Sequence, residues 1–237
     1  MTDMPKNTTA WAFPSKVAVV VDTPGWYDDH AARLARRLND AGHSAMVYRD
    51  YADIPKGDIA FYLSCMRITP AEVLSRNTWN YVVHASNLPK GRGFSPLVWQ
   101  ILEGANEIPV TMISMVGEVD AGDIVAQTRI RLSGHELNTQ LRDLLAQAIE
   151  DLCIAVANAP TAPVPKPQQG EPTWYRRRRP PDSAIDPQIS LAAQFDLLRV
   201  VDNDRYPAYF DHRGHRYILK IEDMGPSPRL SDRNEHD

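Results

Sequence analysis

The stretch NYVVHASNLPKGRGFSPLVWQILEG, residues 80–104, passes from a β-branched run into a histidine, a loop broken by proline and glycine, and an apolar-periodic segment. Val82 and Val83 favour a strand, and Pro89, Gly91 and Gly93 end it. Ser95 is placed as an N-cap and Pro96 at the first helical position of a short helix over 95–104. A strand feeding a helix is the building unit of an α/β sheet. His84 therefore stands at the carboxyl end of a strand, the edge where open α/β sheets bind ligands.

Outward from this unit the pattern repeats. KVAVVVD (16–22) is a continuous apolar run suited to a strand covered on both faces. Ala31, Leu34, Ala35 and Leu38 recur at helical spacing within 27–42, and Gly42 is placed to end that helix. Residues 45–48, 59–64, 81–84, 110–115 and 124–132 read as further strands, and 135–159 as a long amphipathic helix. Composition then shifts, and 160–173 reads as a Pro-rich linker. Beyond it, 174–224 reads as a small α+β extension, with a helix over 189–201 and a hairpin turning at Arg213 and Gly214, before a frayed tail at 225–237. The expected architecture is a Rossmann-like, mostly parallel sheet with flanking helices over 15–159, plus that extension.

A hydrophobic content of 43% with 24% charged residues suits a water-soluble globular chain, and no apolar run is long enough to span a bilayer. No secretory signal is read at the N-terminus, so the expected location is the cytoplasm. Cys65 and Cys153 are far apart and lack metal-site spacing, which argues against a disulfide framework and a zinc site. A net charge of −4 supplies no global attraction to phosphate backbones, so nucleic acid is a disfavoured partner. The single glycine in VVVDTPGWYDD argues against a dinucleotide-binding turn.

His84 is the first candidate catalytic residue, since imidazole exchanges protons near neutral pH. Asp120, in EVDAGDI (118–124), is the second. By itself it reads as a turn residue; beside a histidine, a carboxylate orients the ring and stabilises its charged form.

HASNLPKGRGFSPLVWQILEG followed by EVDAGDIVAQ, with MRITPAEV at 66–73 before them, resembles the folate-dependent formyltransferase family over roughly residues 59–132. YRRRRPPDSAID, QFDLLRVVDNDRYPAYF and GHRYILKI resemble the shorter ending of its nucleotide-sugar N-formyltransferases, with about 65 residues after the linker where the tRNA enzyme carries a larger basic barrel. The resemblance implies transfer of formyl from N10-formyltetrahydrofolate, without a metal, to a primary amine. The acceptor would be a nucleotide-linked 4-amino-4,6-dideoxyhexose resembling GDP-perosamine, as in O-antigen assembly. His84 would hold the oxygen of the formyl group as negative charge develops on it, and Asp120 would orient His84 and help take the amine proton. Met66, Arg67 and Ile68 would border the pterin, together with Val116, Gly117, Glu118 and Val119. Met66 and Ile68 read equally well as core residues.

Lys90, Arg92 and Tyr206 are candidate contacts for the nucleotide sugar, against the plain reading of loop charges and a hairpin ring. The run Arg176–Arg179 reads either as phosphate contacts or as a locked or solvated linker face. The family's asparagine two residues before the histidine is Val82 here; Asn80 lies roughly 13 Å from His84 along the strand, too far to replace it. Either another polar group, such as Ser64 or Cys65 on the neighbouring strand end, supplies the second contact, or the register of the strand differs from this reading. A formyltetrahydrofolate hydrolase and a binding module without chemistry remain open readings, as does pairing of two chains as a homodimer.

Overall fold

A computed structural model describes Trp11 and residues 13–227. The expected tail at 225–237 falls largely outside the described residues.

Ten strands and five α-helices follow in chain order: β1 (Lys16–Val20), α1 (Asp28–Asp40), β2 (Ser44–Tyr48), β3 (Gly57–Tyr62), α2 (Ala71–Leu74), β4 (Asn77–His84), β5 (Arg92–Gly93), α3 (Pro96–Leu102), β6 (Glu107–Ser114), β7 (Ile124–Arg131), α4 (Asn138–Ala157), β8 (Trp174–Tyr175), α5 (Phe195–Val200), β9 (Ala208–His212) and β10 (His215–Leu219). Six strands form the central sheet in the order β2-β1-β3-β4-β6-β7. The pairs among β2, β1, β3 and β4 are parallel, whereas β6 runs antiparallel to both β4 and β7. The sheet is the mostly parallel one expected, with an antiparallel edge.

The two faces of β1 explain its unbroken valine run. Val17 and Val19 pack with α1 and α4 in the main core, while Ala18 and Val20 pack on the other face with Tyr51, Ile54, Tyr62 and Val73. α1 buries Ala31, Leu34, Ala35 and Leu38, the residues its periodicity singles out. It ends as expected at Gly42, whose φ of +95° lets its N–H reach the Asn39 carbonyl while His43 N–H reaches Leu38.

Three boundaries differ from the sequence expectation, each for a local reason. Ser95 occupies the N-cap position of α3 but is left-handed (φ 51°, ψ 46°) and its side chain accepts no capping bond, because Phe94 N–H is held by the Tyr175 carbonyl and the chain turns sharply. α4 starts at Asn138 rather than 135, since the Glu136 carboxylate accepts from Ser133 and Gly134 N–H and holds that segment in a turn. The helix expected over 189–201 shortens to α5, because the Gln194 side chain bonds Asp186 N–H and the Asp186 and Ile189 carbonyls.

Between α1 and α4 lies a fully buried carboxylate. Glu150 accepts from Arg33 Nη2 at 2.7 Å and Arg37 Nη1 at 3.0 Å, with His30 against Arg33. Removing one partner of a buried pair strands the other charges. Both arginines retain a path to solvent, which sets the cost near the lower end of such cases. Glu150→Gln is expected to lower stability by about 3 kcal/mol, read from the urea unfolding midpoint.

The C-terminal portion has its own small core of Ile185, Leu198, Val201 and Ala208. It is joined to the sheet domain by Arg199, which is almost wholly buried and donates to Glu136 and Asn106. β9 and β10 pair antiparallel from His212 and His215, and Arg213 (φ 50°) and Gly214 (φ 79°) make the hairpin turn with two positive φ angles. No helix among the described residues is long and apolar enough to cross a membrane.

Candidate active site

His84 ends β4 and is buried, with only 8% of its surface exposed. Its Nε2 lies 2.8 Å from the Gly91 carbonyl. A carbonyl can only accept, so Nε2 carries a proton and Nδ1 is the ring atom left for other work. Nδ1 faces Asp120 Oδ1 at 3.5 Å. A proton held between Nδ1 and the carboxylate is the arrangement that gives both ring nitrogens complementary partners.

The sheet register explains how residues so far apart in sequence meet. β6 leaves the sheet opposite Tyr81, and Met115 N–H still bonds the Asn80 carbonyl, so the chain departs midway along β4 and doubles back. At its return Asp120 adopts φ 53°, and its Oδ2 accepts from Gly93 N–H at 2.9 Å. Gly122 then passes against the Ser114 carbonyl so closely that any Cβ would overlap that oxygen. The Asp-x-Gly spacing thus has a packing cause: the glycine lets the turn close, and the closed turn aims the aspartate.

The loop after His84 is shaped by a segment from beyond α4. Arg92 and Gly93 pair in parallel with Trp174 and Tyr175, and Gly91 N–H donates to Thr173 Oγ1. A Cβ on Gly91 would press on the Tyr175 ring and one on Gly93 on the Tyr175 carbonyl. Those contacts are the reason for two glycines in PKGRG.

On the neighbouring strand ends, Asp22 follows β1 with its carboxylate closed off from solvent. It accepts from Met66 N–H at 2.8 Å, Arg67 N–H at 2.8 Å, Tyr51 Oη at 3.0 Å and Thr23 Oγ1 at 2.9 Å. Burial pushes this carboxyl up, and the two backbone donors with Thr23 and Tyr51 more than offset it, leaving it below the ordinary carboxylate range. The loop is thereby pinned while Met66 (52% exposed) and Ile68 (78%) stay in the open, which overturns the reading of both as core. Val116 and Val119 are half exposed as well, and Gly117 and Glu118 lie exposed between them. Arg67 stacks 4.6 Å over Tyr51.

Asp22→Asn is expected to cost about 2 kcal/mol at neutral pH, since its four donors then face a single oxygen and an amide N–H₂. The folded carboxyl titrates below the ordinary value of 3.8, so its contribution is complete above that value and is lost as pH falls through the lower one. The gap between wild type and variant in urea unfolding should therefore narrow below about pH 4.

Other expectations meet different surroundings. Arg92 is not a free cation for substrate: it is buried, bonded to Glu118 at 3.3 Å and Gln168 at 2.8 Å, and set over the Trp174 ring. Lys90 is exposed in the loop. Tyr206 is exposed in the turn after α5, and its backbone is bonded to Asp202 and Ser183. That turn is anchored on α4 through Asp202–Arg142. Within the arginine run, Arg176 grips Asp182, holding its carboxyl down at about 2, and Arg178 donates to the Asp182 carbonyl. Both therefore serve the local fold.

Neither expected substitute for the missing asparagine faces His84 among the bonds formed. Cys65 donates to the Val20 carbonyl at 3.4 Å, and burial pushes its thiol up to about 12; Ser64 is exposed with φ 55°. Asn80 is bonded to the Leu74 and Asn77 carbonyls, and Val82 packs on the Ala18–Val20 face. Sequence reasoning missed Asp22, which a carboxylate ending an apolar parallel strand signals, and Gln168, whose Pro-rich surroundings conceal it.

Comparison with known proteins bears on the fold and on residues 44–156. Residues 44–156 match the formyl transferase family, a domain that includes His84, Asp120 and the loops around them. The fold is similar to methionyl-tRNA formyltransferase from Clostridium thermocellum, at TM-score 0.73 and 23% identity over 89% of this chain and 94% of that one. A sugar N-formyltransferase from a Shewanella species is similar at TM-score 0.63 and 15% identity, over 90% of this chain and 99% of that one. HypX from Aquifex aeolicus, solved in complex with tetrahydrofolic acid, is similar at TM-score 0.66 and 19% identity, over 88% of this chain but 38% of that one.

Proposed function

We propose that this chain, which carries a formyl transferase domain, is a cytoplasmic sugar N-formyltransferase that moves formyl from N10-formyltetrahydrofolate to the amine of a nucleotide-linked 4-amino-4,6-dideoxyhexose such as GDP-perosamine. The observation that carries the reading is the buried His84–Asp120 pair, held within the matched domain. The folate donor fits the residues present. Met66, Ile68, Val116 and Val119 leave apolar surface in the open beside the site, the surface a flat pterin ring covers. Bound there, the donor supplies an activated formyl group.

The chain's own part is to place charge and protons. His84 is fixed through Nε2 to Gly91, and its Nδ1–H, 3.5 Å from the Asp120 carboxylate, is the ring donor that can be shared with oxygen that gains negative charge. Asp120, steadied by Gly93 N–H, keeps that proton on the ring and offers a carboxylate for the proton the amine gives up. With Val82 in place of an amide, His84 is the single side-chain donor in this reading. The net charge of −4 supports a small acceptor over tRNA.

The test is incubation of the full chain with N10-formyltetrahydrofolate and a panel of GDP- and dTDP-linked 4-amino sugars, followed by mass spectrometry of the sugar nucleotide. Formylated sugar nucleotide supports the reading. Tetrahydrofolate release without an acceptor would show a hydrolase instead, formylation of charged tRNA alone would overturn the acceptor, and no turnover at all would leave a binding module.

A further inference from the structure

One side chain outside the matched domain reaches the loop that carries Asp120. Gln168 lies in the Pro-rich segment, and its amide uses both faces. Nε2 donates to the Asp120 carbonyl at 2.7 Å and the Gly122 carbonyl at 2.8 Å, and Oε1 accepts from Arg92 Nη2 at 2.8 Å. These partners fix the amide's orientation, since a half-turn would set its oxygen against two carbonyls and its nitrogen against a guanidinium.

The backbone on either side is also fixed. Lys166 exchanges both hydrogen bonds with Ile124, just past the Asp120 turn, at 2.7 and 2.8 Å. Thr173 accepts from Gly91 and Arg92 N–H in the loop after His84. Residues 166–173 therefore strap two loops together, one bearing the carboxylate and the other the carbonyl that holds the imidazole. Asp120 is in the left-handed region, which an aspartate occupies at a cost. The two bonds from Gln168 hold its carbonyl and that of Gly122, two residues on.

We infer that Gln168 is a positioning residue for formyl transfer, setting the Asp120 carboxylate against His84 through the carbonyls of Asp120 and Gly122. The inference rests on the proposed reading of His84 and Asp120 as the reacting pair. Gln168 contacts neither the imidazole nor the carboxylate of Asp120, so its loss should change how the pair is aimed rather than how substrates bind.

Two variants of the full chain test it. Gln168→Leu removes all three bonds; Gln168→Glu keeps an acceptor for Arg92 and loses the two donated bonds. Both are expected to lower kcat roughly 30-fold, with KM for donor and acceptor within about twofold of wild type, because small displacements of reacting groups weigh on the chemical step. Both should also move the His84 ring signals in long-range 1H–15N spectra in the direction that Asp120→Asn moves them. A loss confined to Gln168→Leu would make the Arg92 anchor the cause and overturn the inference. So would an unchanged kcat in a folded variant, a rise in KM alone, or a ring unmoved by both variants. The spectra need no turnover, so a wild-type chain that transfers no formyl group would refute the functional reading while the ring signals still decide the positioning.

Discussion

Replacing His84 with alanine is expected to abolish nearly all formyl transfer, lowering kcat by about 10³-fold with little change in donor KM. A single donor to a developing oxyanion contributes on the order of 10²- to 10³-fold, and a positioned acid or base a comparable factor. In the proposed reading the oxyanion-donor duty falls on the His84 ring alone, because Val82 carries no amide and Asn80 is committed to backbone carbonyls. The alanine variant also leaves the buried Gly91 carbonyl without its donor. His84→Gln restores a donor at that position but no imidazole, so it should recover stability and not activity. Steady-state kinetics and urea unfolding of both variants check this, and a His84→Gln enzyme within tenfold of wild type would refute the role.

The second large effect concerns a residue with no side chain. Gly122→Ala is expected to lose activity and roughly 4 kcal/mol of stability, because the added methyl would occupy the Ser114 carbonyl. The turn can relieve that clash only by opening. Opening withdraws Asp120 from His84 and Gly93, and separates the Asp120 and Gly122 carbonyls from Gln168. The urea midpoint and kcat should therefore fall together. Gly117→Ala, in the same loop with open space around its would-be Cβ, is expected to leave stability within about 0.5 kcal/mol. Equal effects of the two substitutions would show that the close approach at Gly122 does not govern the site.

Much of the fold was legible because its signals are local. The valine run of β1, the helical spacing in α1, Gly42 at its end and the Arg213–Gly214 turn each depend on neighbours within a few residues. His84 at a strand end and Asp120 beside a glycine were legible for the same reason, joined to the resemblance of the surrounding motifs. What stayed hidden depends on contacts across the chain. The antiparallel edge follows from how β6 pairs, which no periodicity records. Arg92 looked like a loop cation because its partners, Gln168 and Trp174, come from a distant segment. Met66 and Ile68 looked like core because apolar residues after a strand usually are, and only the hold of Asp22 on their backbone shows them turned outward.

The strap of residues 166–175 also separates, along the chain, what builds the sheet from what ties the two site loops together. The six strands of the sheet and α4 are complete by Ala157, whereas the bonds that tie the loops of Asp120 and His84 together come from residues 166–175. A chain that ended before Lys166 would lack every bond by which this strap ties the Asp120 loop to the loop after His84, so in the proposed reading the sheet and the aim of the pair are set by different parts of the sequence.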